Sequence, residues 1–403
     1  MGRKLRWAAV SAASVVAVAA VGIVATSSSG SAIPVNAGNT VASKASAKSA
    51  SASAAAVVAM AKKALQQDYA GTDRSLPKTG PKAAKNKSVL IISCTQSGAG
   101  CELPANAAEA AGKLMGWNMT VADGQYNPTV YNEDIREAIA ANANAIILVA
   151  IDCADVEGSL AAAHAAGIKV FGLYSFDCSA VGKPNEFNGS INYGPWGGYK
   201  NYVENSYAKA IADYTIAKTN GHAQIIELRS NDIAIVKAID IGFNKEIAKC
   251  KGCTVYTKVF NGAEFLGGDL QSYTSEMLDE HPNATVVFAP YDAAILLGMG
   301  AAVQQAEAAG SKLILLGGEG LPPNIALIRE GVQTAAFGLP STWGGWAAID
   351  GLNRVFHGDP QVDEGIGHQT IDLQHNLPAV GQGYDGNARS QGFMTNLERI
   401  WGV

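Results

Sequence analysis

Residues 145–178, AIILVAIDCADVEGSLAAAHAAGIKVFGLYSFDC, limit what this chain can fold into more than any other stretch. AIILVAI is a short continuous apolar run, the pattern of a strand covered on both faces. Residues 152–166 carry small and apolar side chains at helical spacing, and Gly167 supplies the left-handed stop. IKVFGLY is a second buried strand. Strand, helix and strand within about 30 residues make a right-handed crossover between parallel strands. Both strands end in polar turns that carry a cysteine, at Asp152–Cys153 and at 175–178. In open α/β sheets ligands bind outside those carboxyl ends, so function is to be sought there.

The same alternation runs on both sides of this unit. Strands are expected at 88–94, 118–122 and 187–192, with helices at 103–114 and 130–143. The punctuation GPWGG at 194–198 precedes a helix at 199–218. A second series follows, with strands at 223–229, 254–260, 285–289, 312–316 and 335–339. Its helices fall at 233–248, 270–279, 293–309, 322–330 and 343–357. The tail reads as irregular apart from a strand at 370–373. Two consecutive βα series predict an α/β protein of two doubly wound, Rossmann-like lobes with a cleft between them.

The chain has 403 residues, enough for two cores, and a net charge of −5, which gives no basic footprint for nucleic acid. Arg3, Lys4 and Arg6 precede an apolar run at 7–25 and then small residues, the order of an export signal. Cleavage after Ala32 releases the chain outside the cytoplasmic membrane; retention of the run anchors it there. Residues 33–86 read as a flexible, Ser/Ala-rich linker and extended lead-in, with a short helix at 55–67. The folded body is then expected to begin near Lys87. Six cysteines in an exported chain read as disulfides, paired by proximity as Cys94 with Cys101, Cys153 with Cys178, and Cys250 with Cys253. The last pair also has thioredoxin-like spacing, but it follows a helix instead of opening one.

Three further stretches carry a family likeness. They are ISCTQSGAGCELPANAAEAAGKLMGWNMTVADGQYNP, VVFAPYDAAILLGMGAAVQQAEAAG and LILLGGEGLPPNIALIREGVQTAAF. Jointly, over 87–358, they resemble the sugar-type periplasmic solute-binding proteins of ABC importers, the ribose-binding-like type I class. The resemblance implies two lobes joined by three hinge strands, crossing near 189–194, 339–343 and 358–368. Lobe 1 then takes 87–191 and 340–366, and lobe 2 takes 192–339 and 367–403. It also implies a monomer that binds a small-molecule solute without a cofactor and docks on an importer permease.

Carried over by position, Asp292 matches the family's Asp, whereas Tyr291 replaces the Asn before it. Glu319 stands where the family has Asp, and Lys237 about where it has Arg. Tyr174 and Ser175 replace an Asp-Arg pair. The candidate wall contains Tyr174, Phe176, Tyr291 and Trp343, suited to sugar faces or to an aromatic solute. Gln96 and Asp152, after the first and third strands, complete the ligand-binding set. Structural roles are open for several of these: Asp292 as a helix cap, Trp343 as a helix anchor, Glu319 as partner of a hinge cation.

The expected function is an extracytoplasmic receptor that closes on a solute and delivers it to an importer. A sensory receptor is the alternative, and an enzyme a more distant one. No GxSxG elbow, HExxH or P-loop occurs in the sequence. His368 and His375 lie close together in the tail, a weak metal signal.

Overall fold

The computed structural model describes residues 39–403 apart from 231, 232 and 389. The apolar run at 7–25 lies outside the described residues. Among those described, no helix is long and apolar enough to cross a membrane.

Five strands, β1 Ser88–Ser93, β2 Asn118–Asp123, β3 Ala145–Val149, β4 Lys169–Leu173 and β5 Gly189–Ser190, form a parallel sheet in the order β2-β1-β3-β4-β5. Six more, β6 Gln224–Ser230, β7 Thr254–Phe260, β8 Val286–Phe288, β9 Ile314–Leu316, β10 Ala335–Gly338 and β11 Gln369–Asp372, form a second sheet ordered β11-β10-β9-β8-β6-β7. Only β10 and β11 pair antiparallel there. The apolar strands are covered on both faces, and all five residues of β3 are buried.

The helices are α1 Asn39–Ala70, α2 Ala99–Leu114, α3 Pro128–Ala140, α4 Cys153–Ala165, α5 Tyr199–Tyr202, α6 Ala208–Lys218, α7 Ala234–Ile247, α8 Gly262–Gly267, α9 Leu270–Glu280, α10 Asp292–Ala294, α11 Gly300–Ala308, α12 Pro322–Glu330, α13 Ser341–His357 and α14 Phe393–Trp401. A five-residue π-turn, Val203–Tyr207, joins α5 to α6.

Helix α13 is buried almost throughout and lies directly on α2. Gly345 makes this possible: a side-chain carbon there would sit 2.5 Å from the Pro104 carbonyl oxygen of α2. The buried charges of α13 satisfy each other and their surroundings. Arg354 Nε donates to Asp350 at 2.7 Å, and Trp401 Nε1 donates to the other oxygen of Asp350 at 2.7 Å. The chain passes between lobes after β5, between β10 and α13, and between α13 and β11. Asn192 and Asp363, on two of these passages, pair in a parallel bridge.

Two expectations for the chain ends need correction. The stretch read as linker is largely the helix α1, whose Ala61, Leu65 and Tyr69 repeat every four residues and are buried. Lys62 donates to Asn220, and Tyr69 stacks on His375 with ring centroids 3.8 Å apart. The lead-in that follows is anchored too. The buried Asp73 accepts from Gly367 N–H at 3.1 Å, Asn387 N–H at 2.8 Å and Ser390 Oγ at 3.1 Å. Arg74 grips Asp363 through Nε at 2.7 Å and Nη2 at 2.8 Å. Trp117 Nε1 donates to Ala84 O at 2.8 Å. The body therefore begins well before Lys87, and residues 50–403 form one unit.

The tail, read as irregular, ends in helix α14. One face, Phe393, Leu397, Ile400 and Trp401, is buried. Trp401 stacks on Trp346 of α13 at 5.6 Å, so the C-terminus returns to lobe 1 although β11 belongs to lobe 2.

Candidate functional site

The carboxyl ends of β1–β4 face those of β6, β8 and β9 across a cavity of ≈ 310 Å³. Loops bring the lining to it. The turn after β2 supplies Tyr126, the end of β3 Ala150 and Asp152, and the end of β4 Tyr174. Tyr199 and Tyr207 come from α5 and the π-turn, Phe265 from α8, Tyr291 from the loop after β8, and Glu319 from the loop after β9.

The rings form two walls. On the side away from the hinge, Tyr126 of lobe 1 meets Phe265 of lobe 2 edge-on, centroids 6.1 Å apart, and Phe265 meets Tyr291 at 5.5 Å. On the hinge side, Tyr174 lies 5.4 Å from Tyr199, and its hydroxyl donates to Pro340 O at 3.0 Å. Gly344 leaves the space for that hydroxyl, since a side-chain carbon there would lie 2.1 Å from it.

Backbone strain gathers at the same edge. Eight described non-glycine residues have positive φ, and four are asparagines, which tolerate it. The other four, Gln125, Tyr126, Ala150 and Tyr174, all sit just beyond strands of lobe 1, and the last three line the cavity. Such strain costs about 1–3 kcal/mol per residue and persists where the surroundings dictate it, typically at ligand sites. Two disulfides brace these loops: Cys94–Cys101 ties the end of β1 to α2, and Cys153–Cys178 ties α4 to the loop after β4. The third, Cys250–Cys253, closes the turn after α7.

Burial pushes the Asp152 carboxyl up to about 7. It accepts from Phe176 N–H at 2.7 Å, and the backbone N–H of Ala234, across the cleft, also favours its charged form. Burial, then the neighbouring Asp292, raises Glu319 to about 7 as well. One Glu319 oxygen accepts from Asp292 N–H at 2.9 Å, while Oε1 reaches toward Gly100, in the first turn of α2.

Of the nine residues expected to bind, the structure brings Asp152, Tyr174, Tyr291 and Glu319 to the cavity. Five are not among its lining. Asp292 is fully buried and its carboxylate is taken up by Gly318 N–H (2.8 Å), Gly320 N–H (2.6 Å), Leu321 N–H (2.8 Å) and Gln333 Nε2 (3.3 Å). It shapes the loop that carries Glu319. Lys237 is exposed on α7, because the buried stripe of that helix is set by Val236, Ile239 and Phe243. Trp343 is buried against Phe393, centroids 5.8 Å apart, in the packing of α13 and α14. Phe176 packs behind the wall, 5.7 Å from Tyr199. Gln96 donates its backbone N–H to Asp123 at 2.8 Å, beside the cavity. Tyr126, Tyr199, Tyr207 and Phe265 were not expected. Tyr126 does lie in the strand-end turn at 123–128, and that position was the available signal.

The two tail histidines form no metal centre with each other: His368 Nδ1 faces Tyr202 Oη at 3.1 Å, and His375 Nδ1 pairs with Asp372 at 2.8 Å. The one ligand-type cluster among the described residues, Cys153, Asp177 and Cys178, has its cysteines in a disulfide.

Residues 89–359 match the periplasmic binding protein domain family. No curated protein matches the sequence. Solved structures are similar. An ABC transporter solute-binding protein from Burkholderia graminis C4D1M, in complex with D-arabinose, is 19% identical, covers 76% of this chain and 100% of its own, and superposes with a TM-score of 0.62. One from Mycobacterium smegmatis with bound glycerol is 19% identical, covering 74% of this chain and 100% of its own, with a TM-score of 0.62. GanP, a glucose-galactose binding protein from Geobacillus stearothermophilus, is 16% identical and covers 73% of this chain and 100% of its own, with a TM-score of 0.61. At these identities the likeness is one of fold.

Proposed function

Because the chain belongs to the periplasmic binding protein domain family, we propose that it is an extracytoplasmic receptor that closes on one small solute and hands it to an ABC importer. The observation that carries this reading is the cavity itself, walled by both lobes and lined with rings and two half-buried carboxylates at strand ends. A hinge of three passages lets the lobes part, and a solute that contacts both shifts the balance toward the closed form. The N-terminal basic and apolar segments supply export in this reading. The protein binds its solute and leaves it chemically unchanged.

Sugars and polyols are the first solutes to test, since the similar structures hold D-arabinose and glycerol. Native mass spectrometry of the exported protein, followed by thermal shift with each compound found, tests the reading. The expected result is one solute bound per chain and a melting point raised in proportion to the logarithm of its concentration. Failure of any small molecule, from its own host's extract or from a panel of sugars, polyols and amines, to bind or stabilise the protein contradicts it.

A further inference from the structure

We propose that the solute carries a positive charge, a protonated or quaternary amine seated against Glu319 within a ring of tyrosines. This rests on the receptor reading above and narrows its substrate class.

Glu319 lines the cavity together with four tyrosines, Tyr126, Tyr174, Tyr199 and Tyr207, two from each lobe's approach, and burial, to which its charge adds, holds all four hydroxyls above their usual range. Every charged side chain among the described lining residues is negative: Asp152, Asp155 and Glu319. Among those same residues there is no Lys, Arg, His, Asn or Gln. The positive poles at Glu319 are backbone ones, Asp292 N–H at the start of α10, which donates to it at 2.9 Å, and the first turn of α2 at Gly100, and each offers only a partial charge.

The donor and acceptor inventory then discriminates between solutes. Ionised carboxylates only accept. Two of the lining tyrosines already donate to backbone carbonyls, Tyr131 to Cys94 O at 3.3 Å and Tyr174 to Pro340 O at 3.0 Å. A sugar hydroxyl both donates and accepts, and its oxygens here would meet few of the amide and guanidinium donors that satisfy them. Unsatisfied polar atoms on both sides weigh against that solute. A protonated amine only donates and a quaternary one requires no hydrogen bond, so in both the group to be recognised is the positive charge. It neutralises a buried carboxylate that is otherwise costly to ionise, and the faces of electron-rich rings attract it. The rest of the wall, including Ile233, Val236 and Leu339, suits an apolar or aromatic body attached to the amine.

The test is calorimetric titration of the full exported protein with two matched pairs, choline against 3,3-dimethyl-1-butanol and phenethylamine against 2-phenylethanol, alongside D-ribose and D-glucose. The cation of each pair is expected to bind at least 10-fold more tightly than its neutral partner. Glu319→Gln, whose amide oxygen can still accept from Asp292 N–H, is expected to erase that difference without lowering the melting point. Tyr207→Leu is expected to weaken the cation more than the alcohol. A neutral partner binding as well as its cation, or a sugar binding better than both amines, overturns the charge assignment and leaves the receptor reading in place. Absence of binding by both amines overturns the charge assignment, while the receptor reading stands or falls by the search of host extract described above.

Discussion

The carboxylate of Asp152, at the end of β3 in lobe 1, faces the backbone N–H of Ala234, the first residue of α7 in lobe 2, which favours its ionised form. This contact joins the two lobes through a carboxylate and the positive end of a helix. Asp152→Ala removes it. A carboxylate at a helix N-terminus contributes about 0.3–2 kcal/mol, so solute affinity is expected to fall by about 2- to 30-fold. Calorimetry with the cognate solute reads the change, and unchanged affinity would show that the contact does not stabilise closure.

Asp292 is reassigned from ligand to scaffold, and the two roles predict different losses. Asp292→Asn puts an NH₂ group among four donors, at least one of which then faces another donor. Breaking such a buried, charged network costs about 3–5 kcal/mol. The melting temperature is expected to drop sharply, while protein that remains folded in the cold binds solute with affinity changed by less than about threefold. A direct ligand role would instead reduce affinity and leave stability nearly intact.

The N-terminal strap yields a truncation prediction. A chain starting at Lys87 lacks Tyr69, Asp73, Arg74 and Ala84, and with them the partners of Asp372, Gly367, Asp363 and Asn353. It also uncovers the apolar surface under Ala61 and Leu65. It is expected to melt at a markedly lower temperature than a chain starting at Ile33 and to aggregate on heating. Equal melting temperatures would return residues 39–86 to the status of a linker.

Stability without solute should depend on pH in a defined direction. Burial holds Asp152, Glu227 and Glu319 at about 7, with Asp292 adding to Glu319 and Asp240 to Glu227. For a carboxyl raised on folding, the favourable contribution is complete below its unfolded value near 4 and is lost as pH rises through 7. Asp363 and Asp372 are held below their usual range, despite partial burial, by Arg74 and by Tyr69 and His375, so they act only below about pH 4. The melting temperature is therefore expected to fall by on the order of 5 °C between pH 5 and 8. Differential scanning calorimetry across that window checks it; a rise would contradict the assigned burial.

Much of the fold was legible because buried strands such as β3 and β4 are apolar runs and crossover helices such as α4 and α12 have a glycine stop, Gly167 and Gly331. The ends were not. Residues 39–54 have a linker's composition, yet alanine is the strongest helix former, and lobe 2 provides a surface for the apolar positions that follow. Helix α14 shows its buried stripe only when Trp346 is in place to receive Trp401. In the site, Asp152, Tyr174, Tyr291 and Glu319 were legible because strand ends define their position. Lys237 and Trp343 lie outside the cavity lining because rotation about a helix axis decides which way a side chain faces, and family position does not report it. Tyr199 and Tyr207 belong to a stretch read as one helix, but the π-turn within it sets which residues face the cavity, and Phe265 reaches it from a six-residue helix too short to carry a periodic signal.

The most direct measurement is small-angle X-ray scattering of the exported protein with and without its saturating solute. The account predicts a smaller radius of gyration with solute, and a smaller change in Asp152→Ala. An identical scattering curve in both states, with binding established by calorimetry, would contradict closure of the two lobes around the cavity.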